Sequence, residues 1–233
     1  MPDIAEGLVY YVVFLFSTTL HEAAHAWAAM RGGDLTAYHG GQVSLDPMPH
    51  IRRAPIGMVA LPIVSVLAIG WPIGFASAPY SIDWARKHPD RAAWMALAGP
   101  AANLLLIILA GLLINIGIWT GVLFSPESVT FGHITRATAE GVMDTAAFFL
   151  GAVFSLNLVL FVLNMLPFPP LDGSAALTLI MPKHIVPRYQ EFLWGQPMLG
   201  WVGIFIAWQM FPSIFRVVFL FSVNLLYPGS HYQ

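Results

Sequence analysis

Residues 18–27 read TTLHEAAHAW, and residues 7–17 directly before them read GLVYYVVFLFS. The upstream run is apolar enough to sit in lipid, and the helix it implies carries on through His21, Glu22 and His25. Ionisable side chains inside a span are costly and by default mark function. Four helical residues turn about 400°, so His21 and His25 share one face, about 6 Å apart along the axis, with Glu22 about 100° round. Two imidazoles so spaced can bind one zinc ion, leaving the glutamate beside them to act on water. A histidine pair merely hydrogen-bonded inside a helix bundle has the same spacing, so the motif needs a partner elsewhere in the chain.

The composition widens the membrane reading from one segment to the whole chain. Of 233 residues, 58% are hydrophobic and only 9% charged, against about 25% charged in a soluble domain; mean hydropathy is +0.71. That is too little charge to coat a water-facing surface, and the chain reads as an all-α, polytopic membrane protein whose surroundings are the lipid bilayer. A net charge of −2 gives no basis for nucleic-acid binding, and the absence of cysteine excludes disulfides, thiolate metal ligands and a cysteine nucleophile. Asp3 and Glu6 without a Lys or Arg make a poor signal-peptide start, so residues 7–30 are read as a retained first span.

Further apolar segments lie near 55–78, 93–119, 145–166 and 198–226. Between them are a turn-rich stretch at 38–54, the most charged stretch at 80–92, and a mostly polar loop at 121–144. No repeat or low-complexity tract divides the chain, which is expected to form a single membrane domain over 1–233. Pro62, Gly70, Pro72, Gly74 and Pro79 interrupt 55–78. It can be one short crossing helix or a segment that enters the membrane and returns, tolerated where protein or a polar cavity covers its backbone.

A catalytic zinc site needs a third protein ligand. Asp172, in NMLPFPPLDGS (164–174), is the outstanding intramembrane carboxylate. Pro167, Pro169 and Pro170 hold the backbone extended after the fourth apolar segment, and Gly173 permits a sharp turn behind the aspartate. The plainer reading of Asp172 is a helix N-cap.

HEAAH (21–25) together with NMLPFPPLDG (164–173) resembles the site-2 protease family of intramembrane zinc metalloproteases, matching its HExxH and NxxPxPxLDG motifs. ALAGPAAN (96–103) is similar to the AGPxxN that opens the family's middle core helix. GGQVSLDPMPHI (40–51) resembles a compact branch without a PDZ domain, although that branch commonly has an acidic residue where this chain has Arg52. The likeness covers most of 17–180 and is loose beyond Pro182. It implies His21, His25 and Asp172 as ligands of one zinc ion per chain and Glu22 as catalytic base. It also implies a three-helix catalytic core, to which this chain adds C-terminal helices, and transmembrane-helix proteins as substrates.

Topology can then be chosen. Arg31, Arg52 and Arg53 on one side of 55–78, and Arg86, Lys87 and Arg91 on the other, both belong in the cytoplasm by the positive-inside tendency. Both conditions hold only if 55–78 re-enters, which also brings Asp172 to the same face as His25. The site is therefore expected near the cytoplasmic side of the cell (inner) membrane. GQVSLD (41–46) and GFASAPY (74–80) are expected to form a small embedded sheet whose edge could hold an unwound substrate.

Asn164 and Asn103 are candidate amide donors to the oxyanion; for Asn103 a helix–helix hydrogen bond is the stronger alternative. His50 sits in a loop that could fold over the site and gate it. His39, His88, His133, His184 and His231 read as solvated, and Trp84, Trp94, Trp119, Tyr189, Trp194 and Tyr227 as interfacial anchors. The sequence thus favours an intramembrane zinc endopeptidase. A membrane zinc transporter should stagger ligands along several spans, and an inactive relative used for binding should have lost part of the two motifs.

Overall fold

The structure, a computed structural model, describes residues 4–233. Four helices among these residues are long and apolar enough to cross a membrane: α1 (Ile4–Arg31), α6 (Pro89–Trp119), α7 (Val142–Asn164) and α10 (Met198–Leu226). Between them lie the short helices α2 (Thr36–His39), α3 (Pro47–Arg53), α4 (Leu61–Ile69), α5 (Ile82–Lys87), α8 (Asp172–Ala176) and α9 (Val186–Gly195). The chain is a multi-pass, mostly helical membrane protein.

α1, α6 and α7 pack against one another as the central triad. Tyr10, Val13 and Phe14 of α1 meet Phe148, Ala152 and Leu156 of α7. Ile107, Ala110 and Ile114 of α6 meet Phe154, Leu158 and Val162 of α7, joined there by Val223 and Leu226 of α10. α10 otherwise stands at the periphery, with Trp201, Phe205, Trp208, Val217, Phe221 and Leu225 exposed, as suits a helix facing lipid.

The segment 54–81 is a hairpin. A π-turn at Ile56–Ala60 leads into α4, which lies 113° from α3. From Ile56 to Ile69 a helix rises about 21 Å, short of the roughly 30 Å hydrocarbon core. Gly70 ends it with φ of +86°, a left-handed cap that suits glycine. The chain then runs back extended, and the Ser77 carbonyl accepts from Arg53 Nε at 3.0 Å, beside the point where the hairpin began. The segment therefore turns back on itself, its end lying beside its start. Asp34 clasps its end, its carboxylate accepting from the N–H of Ser81 (2.7 Å) and from Thr36 N–H and Oγ1.

The expected sheet is not where the alternation placed it. GQVSLD is a series of turns: Ser44 Oγ accepts from Asp46 N–H, and Asp46 caps α3 by accepting from Met48 N–H with Pro47 next in line. Side chains that bond their own backbone compete with a ladder. Residues 74–80 have no regular secondary structure and pair with no strand among the described residues. The one two-stranded ladder among the described residues joins Leu123–Phe124 to Arg136–Ala137, within the 121–144 loop. Trp84 is also not an interfacial anchor. It is buried, and its Nε1 donates to the Gly32 carbonyl at 2.9 Å, tying α5 to the end of α1.

α9 closes the charged end. Arg86 donates twice to Glu191, at 2.7 and 3.3 Å, and its guanidinium lies over Trp194. Tyr189 OH donates to the Ser174 carbonyl at 2.8 Å, which places α9 over α8.

Candidate metal centre

α1 carries His21, Glu22 and His25 on its inner face, all at most 6% exposed. The proline-rich segment after α7 turns back at Asp172, the first residue of α8, and presents its carboxylate to both imidazoles. Oδ2 lies 3.1 Å from His21 Nε2 and 3.3 Å from His25 Nε2, and the two Nε2 atoms are 3.0 Å apart. Among the described residues this is the one cluster of three or more His, Asp or Glu side chains able to hold a metal ion.

The hydrogen bonds behind the cluster decide where its protons are. Val153 C=O can only accept, so the Asn157 amide NH₂ faces it at 2.7 Å and also donates to Ser17 Oγ at 2.9 Å. Asn157 Oδ1 then accepts from Asn103 Nδ2 at 2.8 Å. That turns Asn103 Oδ1 toward His21, whose Nδ1–H donates to it at 2.6 Å. His25 Nδ1–H donates to the Met95 carbonyl at 2.7 Å. Each neutral imidazole carries its proton on Nδ1, and each Nε2 is bare. Two imidazole nitrogens and a carboxylate oxygen thus converge on one point, and Asp172 Oδ2 has no hydrogen-bond partner among the described residues. Two imidazoles plus one carboxylate with outer hydrogen bonds are a donor set suited to zinc.

Space for the ion comes from Gly99 of α6. A Cβ there would collide with Nε2 of both His21 and His25, so the glycine lets α6 lie against the two imidazoles without filling the space beside their Nε2 atoms. The cluster opens onto a cavity of about 1060 Å³ walled by α1, the 71–80 return, α6, α7, α8 and α10. Glu22 lines it, with its Oε2 buried and unpartnered.

The chain matches the family model described as Peptidase family M50 over residues 9–199. It belongs to the M50 peptidases, the site-2 protease family. Among its relatives in that family, "Putative zinc metalloprotease YwhC" of Bacillus subtilis is 31% identical over 176 residues, which cover 75% of this chain and 69% of YwhC. "Putative zinc metalloprotease Rip2" of Mycolicibacterium smegmatis is 31% identical over 206 residues, 83% of this chain and 68% of the relative. The Mycobacterium tuberculosis protein of the same name is 32% identical over 198 residues, 82% of this chain and 65% of the relative. No solved structure matches the chain significantly. As an M50 peptidase the chain is a zinc metalloprotease.

The remaining candidates fall in different places. Asn164 lines the cavity, with one amide N–H donated to Leu160 C=O at 3.0 Å. Asn103 is fully buried, and the network aims its carbonyl, not its amide, at His21. His50 does not line the cavity; it is packed in its own loop, Nε2 facing the Ser44 carbonyl at 3.1 Å. The polar loop made His50 a candidate gate, but the ring turns into its own loop, away from the cavity. His133 is not simply solvated either, since its Nε2 faces Glu6 at 3.3 Å. Three residues escaped the sequence argument. Asn157 and Ser17 carry no local pattern. Thr18, one turn before His21 and Glu22, lines the cavity with an unpartnered hydroxyl, and helical spacing alone could have found it.

Proposed function

We propose that this peptidase is an intramembrane endopeptidase that hydrolyses peptide bonds within or beside the transmembrane helices of membrane-protein substrates. In this reading it acts as one membrane domain, with its site toward the cytoplasmic face of the cell membrane. The observation that carries the reading is the convergence of His21 Nε2, His25 Nε2 and the Asp172 carboxylate on one point, within an apolar helix bundle and open to a large cavity. A transport path would stagger ligands along several spans, whereas these meet at one point.

Bound there, one zinc ion would supply Lewis acidity to polarise the scissile carbonyl and activate water. His21 and His25 hold their Nε2 atoms toward it because Asn103 and Met95 occupy their Nδ1 protons. Glu22 is the general base: its carboxylate takes the proton of the attacking water and returns it to the leaving amine. A helical substrate has its amides bonded internally and must unwind first. The 74–80 return lines the same cavity with a backbone outside any helix or ladder of the described residues, a place where an unwound segment could add by strand pairing. Asn164 is the remaining amide candidate for the carbonyl oxygen.

The test is Glu22→Gln. Gln fills the same space and cannot accept the proton, so the purified variant should keep its zinc and thermal stability while cleavage of transmembrane peptides falls by at least about 10²–10⁴-fold. Near-normal turnover would move the base elsewhere.

A further inference from the structure

Gln190 lies in α9, the helix over α8. It is buried, at 7% exposure, and lines the metal-centre cavity. Leu193 and Trp194, three and four residues on, line the cavity too, so Gln190 is a polar side chain on the inward face of this helix. Its two neighbours in sequence hold that face in place. Tyr189 OH donates to the carbonyl of Ser174, two residues past Asp172, at 2.8 Å, and Glu191 accepts from Arg86 of α5 at 2.7 Å. A buried amide normally finds partners. The other buried polar side chains on the cavity have their own places. His21, His25 and Glu22 belong to the candidate metal centre. Ser174 and Thr178 each donate to a carbonyl three residues back, both at 2.8 Å, and Thr18 offers a hydroxyl alone. The Gln190 side chain makes no hydrogen bond with any described residue. It is the one buried group on this wall that presents a free N–H donor and a free carbonyl acceptor together.

We propose that Gln190 is a substrate-binding residue that pairs its amide with a backbone peptide group of the unwound substrate segment. The inference rests on the intramembrane-protease reading. Unwinding frees N–H and C=O groups that the substrate helix had satisfied, and in a cavity walled largely by apolar side chains each needs a new partner. Strand addition along 74–80 serves one edge of such a segment and leaves the groups of its other edge free. A glutamine amide matches them, because Oε1 accepts from a peptide N–H and Nε2 donates to a peptide carbonyl. This contact reads the backbone and no side chain, so it acts alike on substrates of different sequence. The bond from Tyr189 to Ser174 ties α9 to the turn that carries Asp172. The peptide group it binds therefore lies in the unwound stretch, a few residues from the scissile bond.

The experiment replaces single amides of a transmembrane peptide by esters, one position at a time, on both sides of the scissile bond. An ester lacks the N–H and is a weaker acceptor. Binding is measured to the zinc-loaded Glu22→Gln protein, and cleavage by protein that retains Glu22. At one register a few residues from the scissile bond, the ester should weaken binding and lower kcat/KM by up to about tenfold, the scale of one hydrogen bond. Gln190→Leu and Gln190→Met, both as helix-favouring as glutamine, should keep their zinc and thermal stability. Each should lower kcat/KM for the all-amide peptide by the same factor and show no further loss with that ester. A flat ester scan of the wild type overturns the proposal by itself. So does a scan whose every effect persists in both variants, which would assign the contacts to other groups such as the 74–80 backbone. Loss of zinc or of thermal stability in both variants would make Gln190 a structural residue and also overturns it. A variant effect that follows one substrate side chain and no ester would make a side chain the partner, and the backbone proposal fails. Ester-dependent binding to the Glu22→Gln protein without any wild-type cleavage would sustain Gln190 and remove the protease reading instead.

Discussion

The Val153 carbonyl, which never touches the candidate metal centre, sets which nitrogen of His21 is bare. It fixes Asn157, Asn157 fixes Asn103, and Asn103 takes the Nδ1 proton. Outer hydrogen bonds of this kind typically affect metal affinity by about 10–100-fold. Asn157→Leu should therefore weaken zinc binding by about that factor in a chelator competition, and Asn157→Asp, which still accepts from Asn103, should lose less. Equal affinity in Asn157→Leu would mean that His21 keeps its tautomer without help. Gly99→Ala tests the other half of the site. Alanine ordinarily favours a helix over glycine by about 1 kcal/mol, but here the added carbon enters the volume between the two Nε2 atoms. The variant should remain helical and lose most of its zinc; full zinc content would place the ion elsewhere. HEAAH was legible because its four-residue spacing is local to one helix, and Asp172 because prolines and a glycine mark the turn that presents it. Asn157 was not, because its partners are 54 and 140 residues away in sequence and meet it only through packing.

The hairpin at 54–81 depends on one carboxylate at its exit. Burial works to raise the pKa of Asp34, but the Thr36 hydroxyl and the N–H groups of Ser81 and Thr36 outweigh it and hold the carboxyl below its ordinary range. A depressed folded pKa gives stabilisation that is complete above the ordinary value, about 3.9, and is lost as pH falls through the lower folded value. The clasp is thus intact at neutral pH and weakens in acid below about pH 4. Asp34→Ala leaves the Ser81 N–H without its acceptor and should cost about 1–3 kcal/mol, read as a lower unfolding temperature and faster proteolysis near Ser81. An unchanged protease pattern would mean that Trp84 and Arg91, which both donate to the Gly32 carbonyl, hold the segment by themselves. The spacing of Gly70, Pro72 and Gly74 permitted the turn back, and the Arg and Lys residues on both sides of the segment favoured it over a crossing helix. The embedded sheet was misread because alternation in GQVSLD is a weaker force than the Ser44 and Asp46 side chains bonding their own backbone.

Across the whole molecule, positive charge is gathered at one end. Of ten Lys and Arg residues, all but Arg136 and Arg216 lie in 31, 52–53, 86–91 and 183–188. These stretches are tied together by Arg91 to Gly32, Arg53 to Ser77, Arg86 to Glu191 and Lys183 to Asp90. Arg136 sits in the loop that pairs Leu123–Phe124 with Arg136–Ala137 at the far end of α6 and α7. Positive-inside bias predicts a cytoplasmic location for this end, with α8 and α9, and an external one for 121–141. The hairpin makes the arrangement consistent. With 54–81 returning, α1 and α7 both run toward the charged end and α6 away from it, which is the condition for His25 and Asp172 to meet. The chain has no cysteine, so Leu45→Cys, Asp83→Cys and Ser128→Cys, all at exposed positions, can be probed singly with a membrane-impermeant thiol reagent. Intact cells should label only Ser128→Cys, and inverted vesicles only Leu45→Cys and Asp83→Cys. Labelling of Asp83→Cys in intact cells, with Leu45→Cys protected, would mean that 54–81 crosses the bilayer. α6 would then run in the opposite direction, α7 would deliver Asp172 to the far face, and the three converging atoms that define the site could not share an ion.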